Sequence, residues 1–168
     1  MPASALRCRI CETEHALEAV GICSRCFGPL DPVYDWAAPP TRAEIEAGPP
    51  SLWRYAPLLP VAPPKEQRLA PGWTPLVAAP RLAEALGVGE LYLKLDTANP
   101  THSFKDRVVS VALSAARAFG YETVSCASTG NLANSVAAHA THVGLRAVVF
   151  IPSDLEQGKV VQTAVYGQ

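Results

Sequence analysis

The sequence predicts an α/β fold, and three observations carry that prediction. From about residue 73 onward, short β-like runs alternate with helical stretches. The helical stretches close on glycines, at Gly87, Gly120 and Gly144. The strand-like run Arg146 to Ile151 reads as buried, as in a parallel or mixed sheet flanked by helices on both faces.

The elements follow in order. Leu82 to Leu86 reads as a helix with Gly87 as its stop, and Leu91 to Leu95 as a strand. Ser103 to Phe119 reads as a helix with Phe104, Val108, Val111, Ala112, Ala115 and Phe119 on one apolar stripe facing the core. Thr123 to Ala127 is a strand, Asn131 to Val143 a helix, Arg146 to Ile151 a strand and Lys159 to Tyr166 a last helix. The chain stops at Gly167-Gln168, where such a fold would turn into its next strand, so the expectation is the first part of a longer protein.

Length and composition bound the function. The chain has 168 residues, enough for one domain and a small appendage. A formal net charge of −1 gives no basic field for nucleic acid or an anionic membrane. No apolar run approaches the ~20 residues of a membrane span, and Met1 to Arg9 lacks the apolar core of a secretory signal. The expected location is the cytoplasm, where thiols stay reduced. Composition then divides the chain into residues 1–36, which hold four of the five cysteines, a proline-rich arm over 37–72, and the α/β portion over 73–168. Proline fixes φ and removes a donor, so the arm is neither one long helix nor a central strand. A short helix near Ser51 to Leu59 fits it, and Trp53, Tyr55 and Trp73 suit an ordered wrap better than a solvated linker.

Cys8-x-x-Cys11 and Cys23-x-x-Cys26 are separated by eleven residues. Two such knuckles complete a tetrahedral four-thiolate set, for which zinc is the expected metal in a structural, closed role. Unmetallated thiols or a redox pair are the alternatives. Gly28 stands where such turns often need a glycine, His15 reads as a surface residue, and Cys126 as a small buried hydrophobe.

Two strand-to-helix turns carry the other chemistry. Asn99-Pro100-Thr101-His102-Ser103-Phe104-Lys105-Asp106-Arg107 places Lys105 at a helix start, where Ser103 or Thr101 can cap and the helix dipole disfavours the ammonium form. Ser128-Thr129-Gly130-Asn131 opens the next helix with N–H groups and hydroxyls suited to a carboxylate. A lysine for an imine beside a carboxylate nest describes amino-acid chemistry on pyridoxal phosphate.

From the cysteine pairs to the last residue, the chain resembles the N-terminal part of the threonine synthases, a fold-type-II pyridoxal-phosphate enzyme family. The resemblance runs through Cys23-x-x-Cys26-Phe27-Gly28-Pro29-Leu30, Ser51-Leu52-Trp53-Arg54-Tyr55, Gly72-Trp73-Thr74-Pro75-Leu76 and the 99–107 and 128–131 motifs. Trp73 and His102 depart from it, since glycine is usual at both places. The resemblance implies that Lys105 condenses with pyridoxal 5'-phosphate and later shuttles protons. It implies that Asn131 bonds the cofactor's phenolic oxygen and that Ser128, Thr129, Gly130 and Asn131 hold the substrate carboxylate. The implied reaction, that of a carbon–oxygen lyase acting on phosphates, converts O-phospho-L-homoserine and water to L-threonine and phosphate, and a homodimer is compatible with the complete protein. The family's glycine-rich loop for the cofactor phosphate, and its Ser or Thr at the pyridine nitrogen, come later in sequence. This piece alone is therefore expected to lack stable cofactor binding and turnover. Related fold-type-II enzymes, a threonine dehydratase or a cysteate-forming synthase, share the lysine and the turn. A non-catalytic zinc-ribbon interaction module is the reading from another class.

Overall fold

The computed structural model describes residues 3–65 and 69–167. The N-terminal segment is a three-stranded antiparallel sheet of order β2-β1-β3, with β1 over Ala3–Cys8, β2 over Glu14–His15 and β3 over Leu30–Tyr34. Ala3, Leu6 and Cys8 point their buried sides inward. With so few large apolar residues this sheet has little core of its own, and its two cysteine turns lie at its end.

The arm is ordered but irregular. Helix α1 (Arg42–Glu46) starts at a capping box, in which the Glu44 N–H donates to Thr41 Oγ1 and the Thr41 N–H donates to the Glu44 carboxylate. A 3₁₀ helix follows over Leu52–Leu58, capped by Ser51 and anchored by the buried Trp53. Tyr55 and Trp73 are exposed, so of the three aromatics that argued for a wrap only Trp53 is covered. Residues 66–68 of the arm lie outside the described residues.

Next come β4 (Leu76–Ala78), α2 (Pro80–Leu86) and β5 (Tyr92–Lys94), with β4 and β5 paired antiparallel from Leu76 opposite Lys94 to Ala78 opposite Tyr92. Helix α3 spans Lys105–Ala118, β6 Thr123–Ala127, α4 Asn131–Val143, β7 Arg146–Phe150 and α5 Gln157–Ala164. Strands β6 and β7 are parallel and in register from Thr123 opposite Arg146 to Ala127 opposite Phe150, with α4 as the crossover. The α/β class therefore holds, with parallel pairing at β6–β7 and a separate antiparallel pair at β4–β5. Periodicity along one chain identifies a strand but not its partner.

The core lies between α3, α4 and the β6–β7 pair, built from Val109, Leu113, Val136, Ala140 and Leu145. Helix α3 turns the start of the expected stripe outward: Phe104 and Val108 are 58% and 57% exposed, Val111, Ala115 and Phe119 are half-buried, and the buried face is Asp106, Val109, Ser110, Leu113 and Ser114. The reason is the partner. Helix α4 presents Asn134, Ser135 and His139 beside Val136 and Ala140, so the face that fits it is small and partly polar. Among the described residues no helix is long and apolar enough to cross a membrane.

Candidate functional site

The cysteine cluster forms at the end of β1. Each knuckle turns back on itself: the Glu12 N–H donates to the Cys8 carbonyl at 3.0 Å and the Phe27 N–H to the Cys23 carbonyl at 2.9 Å. The residue after each second cysteine is left-handed, Glu12 at φ 58° and Phe27 at φ 59°, so the turn conformation expected of Gly28 falls on Phe27. Gly28 serves another end. A Cβ there would lie 2.7 Å from Ile10 Cγ1 and 2.9 Å from Cys8 Sγ, so only glycine lets the two knuckles close.

The four sulfurs of Cys8, Cys11, Cys23 and Cys26 lie within 4.8 Å of one another. The Cys8–Cys26, Cys11–Cys26 and Cys11–Cys23 separations are 3.4, 3.3 and 3.7 Å. A zinc–sulfur bond of about 2.3 Å in a tetrahedron requires edges of about 3.8 Å, so the set fits a four-thiolate metal site. Thr13 holds the Cys11 thiol down, to about 6. A backbone N–H at Gly28 favours the Cys26 thiolate, but bonds shared with Cys11 and Cys8 carry that thiol up to about 12. Four sulfurs this close cannot all ionise unless a cation offsets their repulsion. His15, expected at the surface, is half-buried with Nε2 3.3 Å from Cys23 Sγ.

Lys105 is the first residue of α3, and its N–H donates to Ser103 Oγ at 3.3 Å. The side chain is half-buried. Its amine sits 4.8 Å from the Phe104 ring and has no hydrogen-bond or ion-pair partner among the described residues.

The residues around Lys105 are fixed far more firmly. Asp106 is fully buried and accepts from the Thr101 N–H (2.7 Å), Thr101 Oγ1 (2.6 Å), Ser135 Oγ (2.6 Å) and His139 Nε2 (3.2 Å). Burial pushes its carboxyl up, but the bonds from His139, Ser135 and Thr101 outweigh that and hold it at about 2. Arg107 grips both oxygens of Asp96, through Nε at 2.9 Å and Nη2 at 2.7 Å, and also donates to Thr74 Oγ1. That guanidinium, first among the causes, holds Asp96 at about 2. Asn99 closes the third side: its Oδ1 accepts the Gly72 N–H at 2.9 Å and its Nδ2 donates to the Asp96 carbonyl. A Cβ at Gly72, with φ 90°, would fall 2.7 Å from the Leu52 N. The 72–76 motif, the arm and the 99–107 motif are thus one structural unit.

Helices α3 and α4 run side by side in the same direction. Asp106 in the first turn of α3 bonds Ser135, and at the far end Arg117 reaches toward Gly144. Ser135 lies four residues into α4 from Asn131, about 6 Å along the axis. Lys105 and the 128–131 turn therefore stand at the same end of the helix pair, beyond the carboxyl end of β6, where open α/β sheets place ligands. In that turn Ser128 Oγ accepts the Gly130 N–H, and Thr129 and Asn131 are exposed. A cavity of about 190 Å³ lies against Ser128 and Thr129, and its wall includes Lys159 rather than Lys105. Lys159, given no role from sequence, pairs with Glu156 at 3.6 Å.

Sequence reasoning missed the Asp106 network, although its signal was present. Asp106, Ser110 and Ser114 recur at every fourth position of α3, as do Ser135 and His139 on α4, which puts each set on one face.

With this geometry in place, comparison with known proteins identifies the lineage. Residues 67–168 match the model of the pyridoxal-phosphate dependent enzyme family. The chain belongs to that family. It is 39% identical to the threonine synthase of Methanosarcina acetivorans over 165 residues, 96% of this chain and 40% of that protein. Among solved structures it resembles a pyridoxal 5'-phosphate-dependent aspartate racemase (TM-score 0.51, 26% identity, 56% of this chain and 30% of that one). It also resembles the processed threonine deaminase isoform 2 of Solanum lycopersicum (TM-score 0.50, 28% identity, 56% of this chain and 26% of that one). The chain thus spans well under half the length of these relatives.

Proposed function

We propose that this chain is the N-terminal part of a threonine synthase, which converts O-phospho-L-homoserine and water to L-threonine and phosphate. In this reading residues 1–36 are a zinc-ribbon-like segment, 37–72 an ordered arm, and 73–168 the opening portion of the catalytic domain. The observation that carries the enzymatic reading is the placement of Lys105, clamped on both sides, at the same end of the helix pair as the Ser128–Asn131 turn. Similarity to a threonine synthase across 96% of the chain supports this choice of substrate.

Each residue then has a defined task. Lys105 is the attachment point for pyridoxal 5'-phosphate, whose aldehyde carbon and electron-withdrawing ring, when bound, stabilise negative charge at the substrate's Cα. Once the substrate's amine takes its place, the Lys105 amine is free to accept the Cα proton and return it later in the reaction. The N–H groups and hydroxyls of Ser128, Thr129 and Gly130 receive the substrate carboxylate at the start of α4. Asn131 donates to the cofactor's phenolic oxygen. Cys8, Cys11, Cys23 and Cys26 hold zinc in a closed set that leaves no position for substrate, so its role is to fold the N-terminal segment.

The related reading, a threonine dehydratase, draws on the structural likeness to a threonine deaminase. One experiment separates the two. The complete protein is supplied with pyridoxal 5'-phosphate and either O-phospho-L-homoserine or L-threonine. Release of phosphate with formation of threonine is expected; formation of 2-oxobutyrate from threonine, with no reaction of the phosphorylated substrate, would refute the proposal. The 168-residue chain tested alone is expected to show no turnover.

A further inference from the structure

His15 is the one motif residue between the cysteine pairs that the proposed function leaves without a task. It sits on β2, a strand of only two residues whose place is fixed by pairing with β1, Leu6 opposite His15 and Arg7 opposite Glu14. The Arg7–Glu14 ion pair at 2.6 Å fastens the neighbouring position. The imidazole thereby comes to rest with Nε2 3.3 Å from Cys23 Sγ. Cys23 is a fully buried cysteine of the cluster.

The other contacts to the sulfurs come from within the knuckles or beside them. Cys8 Sγ receives the Ile10 and Cys11 N–H groups at 3.4 and 3.5 Å, and Cys23 Sγ receives the Arg25 N–H at 3.3 Å. Thr13 Oγ1 lies 3.3 Å from Cys11 Sγ, two residues away in sequence. Among the described residues His15 is the side chain that reaches a sulfur from a different strand, joining β2 to the second knuckle.

A zinc ion with four thiolates carries a net charge of about −2. In a site shielded from water, that charge is spread by hydrogen-bond donors to the sulfurs, and a sulfur that accepts such a bond is less basic and slower to leave the metal. We propose that His15 is a positioning residue for the metal: its Nε2–H donates to the Cys23 thiolate, and this bond slows the loss of zinc from Cys8, Cys11, Cys23 and Cys26. The inference rests on the reading of residues 1–36 as a zinc site.

The test uses the full chain as wild type, His15→Phe and His15→Gln. Phenylalanine fills the space without a donor, and glutamine keeps an N–H of similar reach. Zinc content is measured first, then the rate of zinc transfer to the chelator 4-(2-pyridylazo)resorcinol. The cobalt(II)-substituted forms are compared by their sulfur-to-cobalt charge-transfer band. One zinc per wild-type chain is expected. His15→Phe should lose it about 10- to 100-fold faster, as for other partners of metal ligands, with His15→Gln close to wild type. The cobalt band should move to longer wavelength in His15→Phe alone, because the sulfur lone pair is no longer lowered by a donor; a purely structural role would not produce that shift. A wild-type chain with no zinc would overturn the metal reading itself. Zinc in the wild type with equal release rates and unmoved bands in both variants would overturn the role of His15 alone, as would equal impairment of the two variants.

Discussion

Removing the Asp106 carboxylate should destabilise the protein far more than removing the lysine beside it. Four donors converge on this one side chain, from Thr101 (twice), Ser135 and His139. In Asp106→Ala the two hydroxyls can turn to other acceptors, but the Thr101 N–H and the His139 ring N–H keep their directions and lose their partner. Stranding buried donors costs about 1–3 kcal/mol each, so the total is about 3–5 kcal/mol, as for other buried groups deprived of a charged partner. The pH dependence has a definite sign. A carboxyl titrating near 2 when folded and at 3.8 when unfolded favours the folded state by about 2.5 kcal/mol above pH 4, and that contribution disappears as the pH falls through 2. Urea unfolding of wild type and Asp106→Ala in the complete protein, at steps from pH 7 to pH 2, reads both quantities. The gap between them should be widest above pH 4 and narrow below it. A gap under about 1 kcal/mol at pH 7, or one that widens toward pH 2, would refute the reasoning.

Two further outcomes follow from the same geometry. Lys105→Ala should abolish covalent attachment of pyridoxal 5'-phosphate, read as the loss of a borohydride-fixed pyridoxyl group on that peptide, while Tm changes by no more than a few degrees because the amine has no polar partner among the described residues. His102→Gly should stabilise the protein by about 0.5–1 kcal/mol in thermal unfolding, since His102 holds a left-handed backbone at φ 62°.

Much of the framework around the candidate site was legible because glycines and strand-like runs marked its borders. Thr123–Ala127 and Asn131–Val143 have the same bounds in the sequence reading and in the structure, and Gly144 closes α4 with φ 71°. The cysteine spacing likewise foretold a four-sulfur cluster. What escaped was the identity of facing surfaces. Two stripes on α3 were open to burial, an apolar one through Phe104 and Val108 and a mixed one through Asp106 and Ser110. Counting hydrophobic residues favours the first. The second is buried because a carboxylate with four donors, set among small side chains, lets two helices approach closely, and that depends on Ser135 and His139 about thirty residues away. His15 escaped for the same reason: its partner, Cys23, became visible only when β2 was laid beside β1.

Among the described residues, four non-glycine residues have left-handed backbones, Glu12, Phe27, Trp73 and His102, and all lie in the motifs singled out from sequence. Glu12 and Phe27 each follow the second cysteine of a knuckle and donate their N–H groups back to the carbonyl of its first cysteine, which closes the turn. Trp73 and His102 are the other two, and each costs about 1–2 kcal/mol of backbone strain. Part of that is offset locally, by Arg54 stacked 4.1 Å from the Trp73 ring and by His102 Nδ1 at 3.2 Å from the Thr97 carbonyl. The bends persist because the bonds on either side impose them. Gly72 and Thr74, which flank Trp73, are tied to Asn99 and Asp96, and Thr101, next to His102, is tied to Asp106. Substitution at either bend thus alters the strain that the fold carries while leaving the path of the chain into Lys105 where the half-buried Asp96 and the buried Asp106 hold it.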